Sequence, residues 1–389
     1  MKANPASEPS RVTGRSAEPL LLYERCESPV QAWVRFWFSP SDPFALHLLR
    51  VLTGILLLCW LLPVAGEVNT LFGLRGWFDR LAYYEATQGE LANNLPKPIG
   101  PWSILYPPLG GDGPRIQAIY WASIVVLGLF TLGLATRLTA PLAWVIVVSF
   151  TACPAYDDEL DPVLHILSLY LAVGYLLLGW RRPLSWLQRV LGPWDTLLFG
   201  RLLSKSEPMP STGATVALRL LQFHVVLMIF TTGLTKLQIG EWWSGVALWY
   251  PLHPALTTRN QEARALIADP NSYFMLLNLC TYAVLAWQIG LPLFAWKGGW
   301  WRLVLLGGAI AGCVGLWTVY AMPLLAFAWV ICCLSLLTDR DWATVGSWLR
   351  HFGTLRPLAA WLPDEVDSSW QEPTSRELVS VGRSRREHS

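Results

Sequence analysis

Hydrophobic residues in this chain come in long unbroken runs, not at amphipathic spacing. The runs lie near 44–64, 117–135, 138–154, 162–180, 214–237, 273–295, 301–319 and 322–338. Each approaches the length needed to cross roughly 30 Å of hydrocarbon. The pattern predicts an all-α fold, a polytopic membrane bundle of about eight transmembrane helices. The third and eighth are the shortest and depend on neighbours for burial. Residues 1–43 are polar and dotted with arginine, too long and too hydrophilic for a signal peptide. They read as a cytoplasmic N-terminal segment, 44–338 as the transmembrane domain and 339–389 as a cytoplasmic tail. That tail opens as an amphipathic surface helix (Asp341 to Phe352), then turns polar and disordered.

Composition sharpens this picture. Hydrophobic residues make up 53% and charged residues 14%, against roughly 25% charged in an ordinary soluble domain. Lys+Arg 29 against Asp+Glu 27 leaves a formal +2, no basic excess with which to hold a nucleic-acid backbone. The seven cysteines sit mostly inside apolar runs without metal-ligand spacing, and they read as free buried thiols, not as a disulfide framework.

Charge placement predicts the orientation. Lys2, Arg11, Arg15, Arg25 and Arg35 precede the first run, Arg137 sits in the second-to-third turn, and Arg181, Arg182, Arg189, Arg201 and Lys205 fill the fourth-to-fifth loop. Lys297 and Arg302 lie between runs six and seven, and arginines from Arg340 to Arg386 follow the eighth. These alternate segments are expected on the cytoplasmic side, with both termini cytoplasmic. The run Asp157-Asp158-Glu159-Leu160-Asp161 and the loops 67–115 and 238–272 fall on the other side. The expected location is the cell membrane, as a multi-pass protein with the lipid bilayer as partner and no nucleic acid.

Of the 23 tryptophans, Trp77, Trp102, Trp242, Trp243, Trp300 and Trp301 fall at helix ends or in loops, where an interfacial belt accounts for most of them and cofactor stacking is the alternative. Gly308 and Gly312 form a small-xxx-small pair in the seventh run, expected to serve close helix packing.

Ionisable groups at membrane depth are the candidates for chemistry, because burying them costs several kcal/mol unless they are paired. Lys236 ends the fifth run in Phe230-Thr231-Thr232-Gly233-Leu234-Thr235-Lys236-Leu237. Gly233 lies one turn back on the same face and leaves room for a neighbour or ligand. An ammonium in an apolar rim loses hydration, so it can act as a base or hold an anion; the plainer alternative is a lysine snorkelling to headgroups. His165 opens the fourth run with Asp161 four residues earlier, so the carboxylate can orient the imidazole, or both can serve to cap the helix and order the loop. His224 lies twelve residues from Lys236, about 18 Å along the axis, and reads as a hydrogen-bonded core histidine. Arg50 reads as structural. No phosphate cradle, metal-binding motif or nucleophile elbow stands out.

Three stretches carry a resemblance. Asp42-Pro43-x-x-Leu46-x-x-x-Arg50-x-Leu52-x-Gly54 opens the first run, Leu132-Gly133-Leu134-x-x-Arg137-Leu138-Thr139 forms the second-to-third turn, and Phe230-x-x-Gly233-Leu234-x-Lys236-Leu237 with Trp242-Trp243-Ser244-Gly245 spans the end of the fifth. In order and spacing they resemble the horizontally transferred transmembrane (HTTM) domain, the membrane part of vitamin K-dependent gamma-glutamyl carboxylase and of many bacterial proteins. The resemblance runs from about residue 40 to about 338. It implies that Lys236 matches the lysine that deprotonates reduced vitamin K, with His165 as a looser match to an assisting histidine. A reduced quinone is the implied cofactor, beside Gly233, Trp242 and Trp243, and no metal is implied. The carboxylases carry a large extracytoplasmic domain after their helices, whereas about fifty mostly polar residues follow here. The late helix here, Leu316-Trp317-Thr318-Val319-Tyr320, lacks the carboxylases' histidine, and the Lys-Leu to Trp spacing is a residue longer.

Two readings of function follow. In the first, a quinone- or lipid-sized cavity opens near Lys236 and His165, with Lys236 as base, His165 assisting and Asp161 orienting it, but without the carboxylase substrate-binding domain. In the second, the chain is a non-catalytic scaffold, lipid-binding or immunity-type protein whose partner surfaces are the loop 238–272 and the C-terminal tail. A transporter ranks last, since paired inverted repeats and charged broken helices are not evident.

Overall fold

A computed structural model describes residues 28–73, 76–77, 103–105, 113–153, 159–178, 211–252 and 270–351. The loop arginines from Arg181 to Lys205, Asp157 and Asp158, most of the loop 67–115, residues 253–269 and the tail beyond 351 lie outside the described residues.

The described residues are helical throughout, apart from one isolated antiparallel bridge between Ser41 and Ser211. Helix α1 spans Pro29–Phe38, inside the segment read as polar. Ser28 starts it with a capping box: its hydroxyl accepts the Gln31 N–H, the Gln31 side chain accepts the Ser28 N–H, and Pro29 takes the first position. Helix α2 (Phe44–Leu61) runs into a 3₁₀ turn (Leu62–Gly66), where Pro63 has no N–H to continue the α ladder. The chain continues through α3 (Val68–Phe72), α4 (Gly113–Leu132), α5 (Thr136–Thr151), α6 (Asp161–Leu177), α7 (Thr212–Lys236) and the one-turn helices α8 (Gly240–Trp243) and α9 (Trp249–Leu252). It ends with α10 (Pro270–Phe294), α11 (Trp301–Thr318), α12 (Pro323–Leu334) and α13 (Asp339–His351).

All eight apolar runs are helices, but fewer are span-length than the sequence suggests. Among the described residues, five are long and apolar enough to cross a membrane: Phe44–Gly66, Gly113–Leu132, Thr212–Lys236, Phe274–Phe294 and Trp301–Thr318. Helices α12 and α13 would make a sixth only as one span broken by a 107° bend. With 16 and 17 residues, α5 and α6 are shorter than the ~20 residues that ordinarily span. This is the make-up of an integral membrane protein.

Helices adjacent in sequence pack on one another from α4 to α7, α7 packs on α10, α10 on α11 and α11 on α12. Helix α12 then returns to α2, and α2 packs on α4, so the bundle closes on itself. Outward-facing side chains such as Leu279 on α10 and Leu303 and Ile310 on α11 remain exposed, as expected of helices that face hydrocarbon.

The first two stretches of the resemblance meet in space. Gly54 on α2 lies against Thr131 on α4, so close that an added Cβ would fall 3.0 Å from the Thr131 Cα. Gly133 in the α4–α5 turn has φ 84 and lies against the Arg50 guanidinium, a conformation and a contact that both need the missing side chain. Arg50 is fully buried, and Tyr175 on α6 accepts a hydrogen bond from it. His47 Nδ1 lies 2.7 Å from the same Tyr175 hydroxyl. One turn on, Arg137 donates to the Leu178 carbonyl at the end of α6 (2.7 Å).

A second polar layer closes the end where α1 and α13 lie. Arg302 pairs with Asp341 (3.2 Å) and donates to the Ala295 and Leu336 carbonyls (3.1 and 3.0 Å), one just past the C-terminal end of α10 and one just past that of α12. Gln222 on α7 donates to the Ser335 carbonyl (2.6 Å) and accepts from Arg219 (2.9 Å).

Gly308 and Gly312 serve the packing of α11 on α10 and α12 by leaving room for side chains. They receive the indoles of Trp287 and Trp329, whose N–H groups donate to the Val304 and Ala309 carbonyls (2.9 and 3.1 Å). The thiols are free among the described residues, but Cys59 and Cys280 are exposed, not buried.

Two outcomes follow. Gly54→Val overpacks the α2–α4 contact and lowers stability by about 1–3 kcal/mol in thermal unfolding in detergent, while Gly128→Val, with open space around it, leaves it unchanged. Burial first, and the Asp42 carboxylate second, push the Asp339 carboxyl at the start of α13 up to about 6, against the pull of the Asp42 N–H and of Arg219. The folded chain therefore holds that proton more tightly than the unfolded one. Stability falls as pH rises from the ordinary 3.8 through about 6, and Asp339→Asn flattens that slope and raises the unfolding temperature near neutral pH.

Candidate functional site

Lys236 is the last residue of α7, where a cation is favoured by the helix dipole. Its ammonium does not reach outward. Nζ donates to Gln288 Oε1 on α10 (2.9 Å) and sits 4.8 Å from the centre of the Trp242 ring. Gln288 is buried, at 6% exposure, so a polar acceptor inside the bundle and an aromatic face hold the charge from two sides.

Gly233 makes this contact possible. An added Cβ would stand 3.0 Å from the Gln288 Cβ and 3.2 Å from Ile289 Cγ1. The room beside the ammonium is thus filled by α10, which comes close enough to present Gln288.

The chain after Lys236 folds back over this end. Trp243 donates its indole N–H to the Leu237 carbonyl. Tyr282 on α10 donates to the Trp243 carbonyl (2.6 Å), and Asn278 to the Ser244 carbonyl (3.2 Å). Gly245, at φ 74, turns the chain directly over Asn278. Trp242 packs with Leu285 and Ala247 in a small apolar cluster, while Trp243 is exposed. The two neighbouring tryptophans therefore differ: Trp242 belongs to the lysine site, and Trp243 fastens the loop with its backbone and indole N–H.

His165 and Asp161 stand elsewhere. His165 Nε2 is 2.7 Å from Thr151 Oγ1 on α5, and that hydroxyl donates to the Val147 carbonyl (2.8 Å). The threonine's single proton is thereby used, so Nε2 is the donor and the imidazole is fixed by α5. Asp161 is buried in the first turn of α6, favourable to the helix dipole, but the hydrogen bond of His165 goes to Thr151 and not to Asp161. Tyr170 and His224 meet at 3.0 Å and set the register of the antiparallel pair α6–α7. From that level His165 lies about 7.5 Å and Lys236 about 18 Å toward the same end. One faces α5 and the other α10. The structure does not bring them together.

Gln288, Asn278, Tyr282 and Thr151 escaped the sequence reading, because each acts on a different helix or loop, the first three across 34 to 52 residues and Thr151 across 14, from a helix whose own pattern is only apolar. Among the described residues, no three His, Cys, Asp or Glu side chains gather as a metal-ion group. A half-open apolar cleft of about 220 Å³ lies between α11 and α12, lined by apolar side chains and by Cys313 and Cys333, and not beside Lys236.

No family model, curated protein or solved structure matches the chain.

A double-mutant cycle tests the lysine–glutamine pair. Gln288→Leu in the wild type leaves a charge without its acceptor and costs about 1–3 kcal/mol, whereas in a Lys236→Met background the same change costs little. Equal costs in both backgrounds would show that the pair is not coupled.

Proposed function

We propose that this is an HTTM-family multi-pass protein of a bacterial cell membrane, both termini cytoplasmic, with Lys236 as the working group of a carboxylase-like, quinol- or lipid-handling site on the extracytoplasmic side. The observation that supports this reading is the inward-held ammonium: Lys236 lies on Gln288 and Trp242, where a snorkelling lysine would point to water. Gln288 Oε1 accepts an N–H from either a neutral amine or an ammonium, so it keeps Nζ in place while the group gains or loses a proton. Lys236 then takes the hydroxyl proton of a bound quinol or comparable acidic lipid, and the Trp242 ring steadies the ammonium that forms. The reduced quinone supplies the redox chemistry when bound. His165, fixed by Thr151 about 10 Å lower along the bundle, does not share this proton, and Asp161 does not orient it.

That separation of Lys236 and His165 favours a second reading. A lone lysine tied to Gln288 is also a sound interhelical clamp, and the chain is then a non-catalytic scaffold, lipid-binding or immunity-type partner that presents the folded-back loop after Lys236.

Oxygen uptake with reduced quinones on the detergent-purified chain separates the two. The enzymatic reading expects uptake that Lys236→Ala abolishes with the fold retained, and that Gln288→Leu lowers by roughly tenfold or more. Uptake indifferent to Lys236, or none in a folded wild-type sample that still binds lipid, removes Lys236 from chemistry and leaves the clamp.

A further inference from the structure

Helix α1 lies outside the closed bundle and touches it through its C-terminal part, where Phe36 and Trp37 are half-buried while residues 28–35 are exposed. Phe36 meets the Trp296 ring at 6.3 Å and carries the Arg219 guanidinium 4.3 Å from its own ring centre. No residue of α1 is fully buried. Val30, Trp33, Val34 and Phe38 are 70%, 63%, 49% and 56% exposed. At about 100° per residue these four fill one arc in which Trp37 is half-buried against its neighbours, while Phe36 lies to its side and Ala32, exposed but without an apolar surface of any size, lies opposite.

The level of α1 is fixed by its contacts. Trp296 belongs to the α10–α11 turn, with Lys297, Trp300 and Trp301 beside it, where aromatic and cationic residues mark a membrane–water boundary. The segment after α1 is pinned across the start of α7: the Ser41 N–H donates to Thr215 Oγ1 (3.1 Å), and the Thr215 hydroxyl donates to the Ser39 carbonyl (2.6 Å). Helix α1 therefore lies at the ends of α2, α7 and α10 without continuing any of them. Exposed Trp300 lies at the same end, in the α10–α11 turn that Phe36 touches through Trp296. Helix α13, which bends away from α12 by 107°, exposes Val345 and Trp348 at the same end, where Phe44 meets Trp342 at 5.7 Å.

We propose that α1 is an in-plane anchor that docks on the phospholipid bilayer, with Val30, Trp33, Val34 and Phe38 inserted at the boundary between headgroups and acyl chains. Arg35 lies at the edge of the arc, at the level of the lipid phosphates. Phe36 and the Ser41–Thr215 bonds carry the position of this anchor to α7, the helix that ends in Lys236. The inference stands without any chemistry at Lys236.

The test uses the full chain in vesicles of phosphatidylcholine and phosphatidylglycerol with brominated acyl chains, and an environment-sensitive fluorescent amino acid at Val30, at Val34 or, as control, at Ala32. The expected result is blue-shifted emission at Val30 and Val34, with quenching by the brominated chains several-fold stronger than at Ala32. Equal quenching at all three positions overturns the proposal. So does a probe at Val30 and Val34 that is shielded from aqueous iodide yet unquenched by the lipid, since protein would then cover the arc. Two independent apolar positions keep the result readable if one substitution disturbs the fold.

Discussion

The arrangement of this bundle depends on one buried cation. Arg50 carries a charge with no exposure to solvent, and such a charge is tolerated only where its surroundings are fixed around it. Its surroundings come from three places far apart in the chain: the bare backbone of Gly133, the hydroxyl and ring of Tyr175, and through Tyr175 the imidazole of His47. Helices α2 and α6 and the α4–α5 turn are thereby set against one another before any apolar contact is counted. Hydrocarbon packing alone discriminates weakly between neighbouring helices in a membrane. The guanidinium supplies the discrimination.

The same device recurs wherever a glycine and a polar side chain face each other. Gly233 admits α10 to within reach of Lys236, and Gly308 and Gly312 admit two indoles whose N–H groups then find backbone carbonyls. In each case a missing side chain on one helix gives a long polar or amphipathic side chain on the next a place to lie and an acceptor to reach. The three sequence stretches that carried the family resemblance are, in this chain, two such junctions: the first and second stretch form one, the third forms the other.

This explains what the sequence disclosed. Helix positions were legible because unbroken apolar runs have one satisfactory backbone in hydrocarbon. The number of span-length helices was not, because the chain ends α5 at Thr151 and starts α6 at Asp161, and a hydropathy run does not register where hydrogen bonding stops. Helix α1 was missed because its apolar arc covers barely three turns inside an otherwise polar stretch. Lys236 was legible as a charge at a helix end. Its acceptor was not, since Gln288 stands 52 residues away on another helix. The expected Asp161–His165 pair had the right spacing, yet spacing names only what two side chains can reach, and Thr151 offered His165 a partner at 2.7 Å.

The return of α12 to α2 has a bearing on how the molecule is made. These helices begin at Phe44 and Pro323, so although α4 and α6 cover much of α2 early, the strip of α2 that faces α12 stays open until nearly the last helix has left the ribosome. Synthesis proceeds at about 5–20 residues per second, which leaves that strip in contact with lipid or with the insertion machinery for on the order of tens of seconds. Arg302 waits as well: its carboxylate and one of its carbonyl partners arrive only with Leu336 and Asp341. A ribosome that stalls or a message that ends before this point therefore yields a chain with an open seam and with Arg302 held by the Ala295 carbonyl alone.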